Sequence, residues 1–402
     1  MPSAKQLAAT LGNLPAPDEA LLAHSQRLTE VIRREIESHG GSIPFSRYME
    51  LALYAPGLGY YSAGLRKFGP NGDFVTAPEM SPLFSHCVAR QCDEVLQHLG
   101  GGAICEFGAG SGALAVEVLL ELERLDGLPA AYFIMEVSAD LRQRQKELLT
   151  ARVPHLMSSV DWLDQLPTSG FCGVVIANEV LDAMPVQRFA LHDGKIYESS
   201  VRWQDDGFVW QEHAVVDGDL VARVRQLRAE LGDDALPEPY VSEVNVVGEA
   251  WTQQLCAMLE RGVALLLDYG FPRREFFHAD RTTGTLMCHY QHRSHNNPLI
   301  LTGLQDITAH IDFTAIAEAA LSAGAEVLGY TTQAQFLLAT GLLEEMAALP
   351  QDDARSYIEA ANQVKKLTLP NEMGELFKVM ALGKDVDLSL RGFALRDYRG
   401  KL

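Results

Sequence analysis

Cationic residues are scarce in this chain: 33 Lys and Arg stand against 53 Asp and Glu, a formal net charge of −20 over 402 residues. So acidic a surface repels phosphate backbones, which argues against nucleic acid as a partner. No apolar run approaches the roughly 20 residues that span a bilayer, and the run at 263–267 is only strand length. The N-terminal stretch lacks the apolar core of a secretory leader, and Asp18 and Glu19 speak against a mitochondrial presequence. None of the six cysteines (Cys87, Cys92, Cys105, Cys172, Cys256 and Cys288) form a C-x-x-C pair. Several fall in apolar segments, so they read as small buried hydrophobes in a reducing compartment, not as a disulfide framework. A Walker loop, a nucleophile elbow, internal repeats and low-complexity tracts are all missing.

What is present is an ordinary globular composition, 47% hydrophobic and 21% charged, in a chain long enough for a large α/β core with added segments. Residues 1–20 read as a loose arm, and Leu28, Val31, Ile32 and Ile36 mark a helix. Ser81-Pro82 reads as an N-cap and first helical residue, followed by the apolar stripe Leu83, Phe84, Cys87, Val88, Val95, Leu96 and Leu99. From residue 103 strands and helices alternate. Strands are expected at 103–107, 132–137, 157–162, 173–177, 263–268 and 376–382, with helices at 113–125 and after a cap at Ser138. Continuous apolar strands between helices predict a doubly wound, mostly parallel sheet of the α/β class. Asp193-Gly194 and Asp206-Gly207 punctuate an alternating stretch, so 186–216 is expected to be an inserted antiparallel β segment. Residues 271–323, rich in His, Thr and Asn before a helix, form a second, helical insertion. The division is therefore an arm and helix at 1–42, a cap at 43–102 and a main domain at 103–402. The main domain carries insertions at about 186–220 and 271–323.

Glu106-Phe107-Gly108-Ala109-Gly110-Ser111-Gly112 closes the first strand. Alternate glycines let the backbone turn sharply and approach a ligand, and the helix that follows presents its amides to an anion. The spacing also fits the dinucleotide fingerprint of an NAD(P)-dependent oxidoreductase. Three features favour S-adenosyl-L-methionine: Glu106 can hold the ammonium of a methionine moiety, about a hundred residues precede the loop, and the fourth strand ends in a polar cluster suited to methyl-transfer substrates. Glu136, closing the second strand, can accept ribose hydroxyls from either cofactor. Asp161 and Trp162 are candidates for the adenine amine and ring. In Gly72-Asp73-Phe74-Val75-Thr76-Ala77-Pro78-Glu79, Asp73 and Glu79 are candidates to close the cofactor site. They also read as ordinary turn and pre-helix carboxylates.

The fourth strand runs into Asn178-Glu179-Val180-Leu181-Asp182-Ala183-Met184-Pro185. In an open α/β sheet the ligand crevice lies beyond the strand C-termini. Glu179 and Asp182 can clamp a guanidinium there with forked hydrogen bonds, Asn178 beside them; the alternative is that Asn178 or Asp182 caps a helix. His289, His292 and His295 recur at three-residue steps without a flanking acid, so no metal site is expected. His310 and Asp312 are candidates for a site wall.

Taken together, these motifs resemble the MidA family. The resemblance rests on Phe45-Ser46-Arg47-Tyr48-Met49, on Leu53-Tyr54-Ala55-Pro56-Gly57-Leu58-Gly59-Tyr60-Tyr61, and on the Gly72-Asp73-Phe74 loop with Thr76 and Glu79. It continues through the glycine loop, Asn178 to Pro185, Asp268-Tyr269-Gly270, Gly284-Thr285-Leu286, Asp306 to Phe313 and Phe377-Lys378-Val379. That family comprises relatives of the mitochondrial complex I assembly arginine methyltransferase. The resemblance implies a Rossmann-like class I methyltransferase fold, S-adenosyl-L-methionine as cofactor, and a protein arginine as substrate. In the mitochondrial members the substrate is a respiratory complex I subunit. A cytoplasmic enzyme is expected here, and a mitochondrial one in eukaryotic relatives. A non-catalytic cofactor-binding assembly factor is the alternative, and the oligomeric state, homodimer included, stays open.

Overall fold

A computed structural model describes residues 11, 13–64, 75–167, 170–232, 235–349 and 354–402. The described residues fall into two compact units. One gathers the segments within Val75–Leu181, Glu249–Pro272 and Phe313–Leu402, the other those within Met1–Phe74, Asp182–Gly248 and Arg273–Asp312.

The first unit is built on seven strands: β1 (Ala103–Phe107), β2 (Tyr132–Met135), β3 (Val160–Leu163), β4 (Phe171–Asn178), β5 (Leu259–Phe271), β6 (Glu326–Thr332) and β7 (Phe377–Lys384). Their order is β3-β2-β1-β4-β5-β7-β6. β1 to β5 pair in parallel, while β7 runs antiparallel to both β5 and β6. Ile104, Val174, Ile176, Val263, Leu265, Leu267, Val379 and Ala381 share one core with the helices α1 (Pro82–Leu99) and α2 (Ala113–Arg124). The alternate residues Cys105, Val175, Ala264, Leu266 and Met380 are equally buried, so both faces of the sheet are covered. Trp251, on the helix Val246–Met258, meets Phe107 edge to face at 5.1 Å.

α1 bears the expected apolar stripe, and Gly100 closes it in the left-handed conformation. Ser81 stands at its N-cap, but its side chain makes no capping bond. α3 (Ala139–Arg152) is capped as expected, Ser138 accepting from the Leu141 amide. The third strand differs from expectation: residues 154–159 form a 3-10 turn and the strand starts at Val160. Pro154 stands in the first turn of that helix, where its fixed φ suits a helical turn and its missing N–H would weaken a strand.

In the second unit a helix spans Glu19–Ser38, beginning well before Leu28 because Asp18 accepts the Leu21 amide at 2.8 Å. Ser42–Pro44, Gln187–His192, Lys195–Gln204, Gly207–Val215 and Tyr240–Val244 form an antiparallel sheet. The first hairpin turns at Asp193-Gly194, as expected. The second turns one residue early, at Asp205-Asp206, both with positive φ, so that Gln204 pairs with Gly207. Moving the turn to Asp206-Gly207 would set buried Val201 opposite Glu212 in place of Trp210, and losing that apolar cross-strand pair outweighs the usual preference for glycine in the turn. The stretch read as a helical insertion carries a three-stranded antiparallel sheet (Met287–Tyr290, Arg293–His295 and Asp306–Thr308) in this unit, and its helix Phe313–Ser322 belongs to the first unit. Phe45, Tyr48, Met49, Val186, Val201, Cys288 and Ile307 are among the residues of this unit's core.

Candidate functional site

β1 ends at Phe107, and Gly108, Gly110 and Gly112 follow with φ of +62°, +54° and +87°. These are left-handed conformations that L-residues with a Cβ resist. A Cβ on Gly108 would stand 3.1 Å from Val180, and one on Gly112 3.4 Å from Gln145. The turn is thus enclosed by the tip of β4 on one side and by α3 on the other. α2 starts directly after it with no side-chain cap, so its first amides open on the loop.

Glu106 points from β1 into the face shared with α1 and α2, and only 2% of it is exposed. The Tyr132 hydroxyl donates to its Oε2 at 2.7 Å. Burial pushes its carboxyl up to about 7; the Tyr132 bond opposes this and the charge of Glu136 adds to it. A carboxylate so placed is stabilised by a nearby cation, which the ammonium of an amino-acid ligand would supply.

Glu136, just beyond β2, accepts from the Ser138 amide at 2.9 Å and from Gln145 Nε2 at 2.9 Å. Gln145 is the hub of this side. Its amide nitrogen also donates to the Gly110 carbonyl at 3.0 Å, and its oxygen accepts from Trp162 Nε1 at 2.9 Å. One residue therefore ties together the glycine loop, the second-strand carboxylate and the third-strand indole. Sequence reasoning missed it because a glutamine in mid-helix carries no signal of its own. It also missed Val137, an apolar side chain left 83% exposed immediately after Glu136. A carboxylate with an exposed apolar neighbour suits a ribose attached to a flat purine. Asp161 is exposed, and its Oδ1 accepts the Trp162 amide at 2.8 Å.

At the end of β4 the Glu179 amide continues the ladder to the Leu267 carbonyl at 2.8 Å. Glu179 itself is left-handed, with φ +54°, a strained state for a residue with a Cβ. The Asn178 amide donates to Glu179 Oε1 at 3.1 Å. The turn is braced by buried Asp268 at the end of β5, whose two oxygens accept the Leu181 and Tyr269 amides at 3.0 and 2.9 Å. Of the remaining candidates, Glu79 lies in the short helix Ala77–Met80, which packs against α1 and α2. Asp73 lies outside the described residues.

Asp182 belongs to the second unit, where it is buried and its carbonyl accepts the Ala309 amide at 3.0 Å. Beside it the Tyr61 hydroxyl donates to buried Asp306 at 3.0 Å. Tyr61 stacks on Tyr54 at 5.5 Å, and its own ionisation is pushed far up by burial and by the charges of Asp306 and Asp182. His310 donates its amide to Thr285 at 3.2 Å, and Asp312 pairs with Arg273 at 3.2 Å. The three spaced histidines do not converge: His292 occupies a hairpin turn, and the pairing of Cys288 with His295 puts His289 and His295 on opposite faces.

The sheet order with its reversed seventh strand, the glycine loop after β1 and the carboxylate after β2 define a Rossmann-like class I methyltransferase that uses S-adenosyl-L-methionine. Comparison with known proteins agrees. Residues 87–331 match the family "Putative S-adenosyl-L-methionine-dependent methyltransferase", and the chain belongs to that family. It is 29% identical to the Drosophila melanogaster protein arginine methyltransferase NDUFAF7 homolog, mitochondrial, over 88% of this chain and 84% of that one. It is 27% identical to the Danio rerio protein arginine methyltransferase NDUFAF7, mitochondrial, over 87% and 86%. A crystal structure from Burkholderia thailandensis bound to S-adenosyl-homocysteine superposes with a TM-score of 0.92 at 46% identity, over 97% of this chain and all of that one.

Proposed function

We propose that this methyltransferase acts on an arginine of a partner protein. The observation that carries the reading is Glu179, held in a strained left-handed conformation at the tip of β4 by the Leu267 carbonyl and braced by Asp268. Strain of this kind is kept where the side chain must be aimed. The names of the insect and fish relatives support the substrate class. So do the acidic and aromatic surroundings of Asp182, since guanidinium is recognised by carboxylate forks and by aromatic faces.

When bound, the cofactor supplies an electrophilic methyl group on a sulfonium. Glu179 would hold two guanidinium nitrogens and draw the positive charge towards them, leaving the third nitrogen to attack. Asn178 steadies Glu179 through its amide. As that nitrogen gains the methyl group from the sulfur, S-adenosyl-homocysteine would be left behind and the displaced proton would pass to the Glu179 carboxylate or to water, so alignment matters more than a strong base. Glu106, Glu136, Asp161, Trp162 and the three loop glycines hold the cofactor, and Glu79 closes over it. A respiratory complex I subunit is the target implied by the family resemblance. The free cysteines suit the reducing cytoplasm.

The test is mass spectrometry of candidate partner proteins after incubation with the enzyme. Glu179→Gln should keep cofactor affinity but lower transfer roughly tenfold or more, because an amide cannot offer two anionic oxygens. A target whose arginine is changed to lysine should stay unmethylated. Equal methylation of that lysine overturns the arginine reading, a fully active Glu179→Gln enzyme removes Glu179 from it, and a loaded enzyme that methylates no partner favours the non-catalytic alternative.

A further inference from the structure

α1 and α2 run side by side in the same direction, in a register that can be read from their ion pairs. His86 lies 3.7 Å from Glu117 and Arg90 lies 3.2 Å from Glu121. Both pairs are 31 residues apart, so one turn further back Pro82 is level with Ala113, and Ser81 is level with Gly112, the last glycine of the cofactor loop. The register is locked by Glu345, which accepts from His86 and from both Arg90 and Arg124. Two helix N-termini therefore end at one level beside the loop, and neither carries a side-chain cap. Parallel helix ends add their positive potentials, which favours an anion between them.

The Ser81 hydroxyl is the second observation. Ser81 is 0% exposed, and its Oγ has no hydrogen-bond partner among the described residues. A serine at an N-cap ordinarily accepts an amide of the first turn, and a buried hydroxyl left without a partner is costly. A ligand that completes such a group relieves that cost. The ligand of this loop ends in an amino acid, so the anion at hand is its carboxylate.

We propose that the Ser81 hydroxyl and the paired N-termini of α1 and α2 form the seat of the cofactor's carboxylate, with Ser81 donating the hydrogen bond. Glu106 is left to the ammonium. Ser81 is then a cofactor-positioning residue, and the helix ahead of the sheet belongs to the binding site.

Calorimetry with two probes tests this. S-adenosyl-homocysteine carries the carboxylate; 5′-methylthioadenosine keeps the nucleoside and thioether but lacks the amino acid. Ser81→Ala should weaken S-adenosyl-homocysteine roughly tenfold and leave 5′-methylthioadenosine unchanged. Ser81→Thr, which retains the hydroxyl, should recover most of the loss. Thermal melting without ligand is the structural control: a serine that makes no capping bond leaves the melting temperature unchanged, or higher, when it becomes alanine. Equal weakening of both probes, no weakening of either, or a ligand-free alanine variant destabilised as by a lost cap would each overturn the proposal.

Discussion

A carboxyl group as deeply buried as that of Glu106 affects stability as well as binding. Its value is about 7 in the folded chain against 4.5 for the free side chain. Between those values the folded protein keeps a proton that the unfolded chain has released, so stability falls as pH rises through this window. The loss is complete above the folded value and amounts to roughly 3 kcal/mol. Glu106→Gln removes the ionisation and still accepts the Tyr132 hydroxyl. The ligand-free variant should therefore melt above the parent at pH 8, with the difference shrinking towards pH 5. The same offset at both pH values would show that the native carboxyl is already ionised. At this scale the sequence was partly legible. Glu106, Glu136 and the glycines announced themselves by position after strands, whereas Gln145 did not, because its role consists of three bonds to Gly110, Glu136 and Trp162. Nor does any residue pattern show that Glu179 adopts positive φ where its amide continues the ladder to Leu267.

Elements are held by equally specific contacts, and the Gly284-Thr285 turn of the second unit shows how. Buried Glu243, on the strand Tyr240–Val244, accepts the Thr285 amide at 2.8 Å and the Thr285 hydroxyl at 3.0 Å. Its other oxygen would lie 2.2 Å from a Cβ on Gly284, whose φ is +83°. Gly284→Ala must therefore both strain the backbone and dislodge a buried carboxylate, a combined cost of roughly 3 kcal/mol or more. In a Glu243→Ala background the same change should cost only the backbone part, about 1 kcal/mol. Urea denaturation of the four variants closes the cycle, and additive costs would show that Glu243 does not occupy that space. Element types were legible where local rules rule, as in the Asp193-Gly194 turn and the helices after Ser81 and Ser138. They were less so at Asp205-Asp206 and before Val160, where pairing register and a proline moved the boundary by one to three residues.

For the whole molecule, cofactor binding and folding are linked, because a ligand that binds only the folded state stabilises it. S-adenosyl-homocysteine at a hundred times its dissociation constant should add about 2.7 kcal/mol and raise the melting temperature by a few degrees. NAD at the same concentration should not, since Glu106 lies ready for an ammonium that a dinucleotide lacks. A larger shift with NAD would contradict the cofactor assignment. Among the described residues no helix is long and apolar enough to cross a membrane.

The sequence by itself determined the alternation of buried strands and helices, the glycine loop and the carboxylate after the second strand. These depend on neighbours a few residues apart, on side-chain period and on backbone freedom. Only the tertiary structure decided that three separated segments gather into the second unit, and that Asp182 joins Tyr61 and Asp306 there, three residues after Glu179 has closed a strand of the first. It alone levelled Ser81 with Gly112 and drew Tyr132 to Glu106. Such pairings join residues tens to hundreds of positions apart, and packing selects them by which faces can be buried together, a quantity no local pattern records.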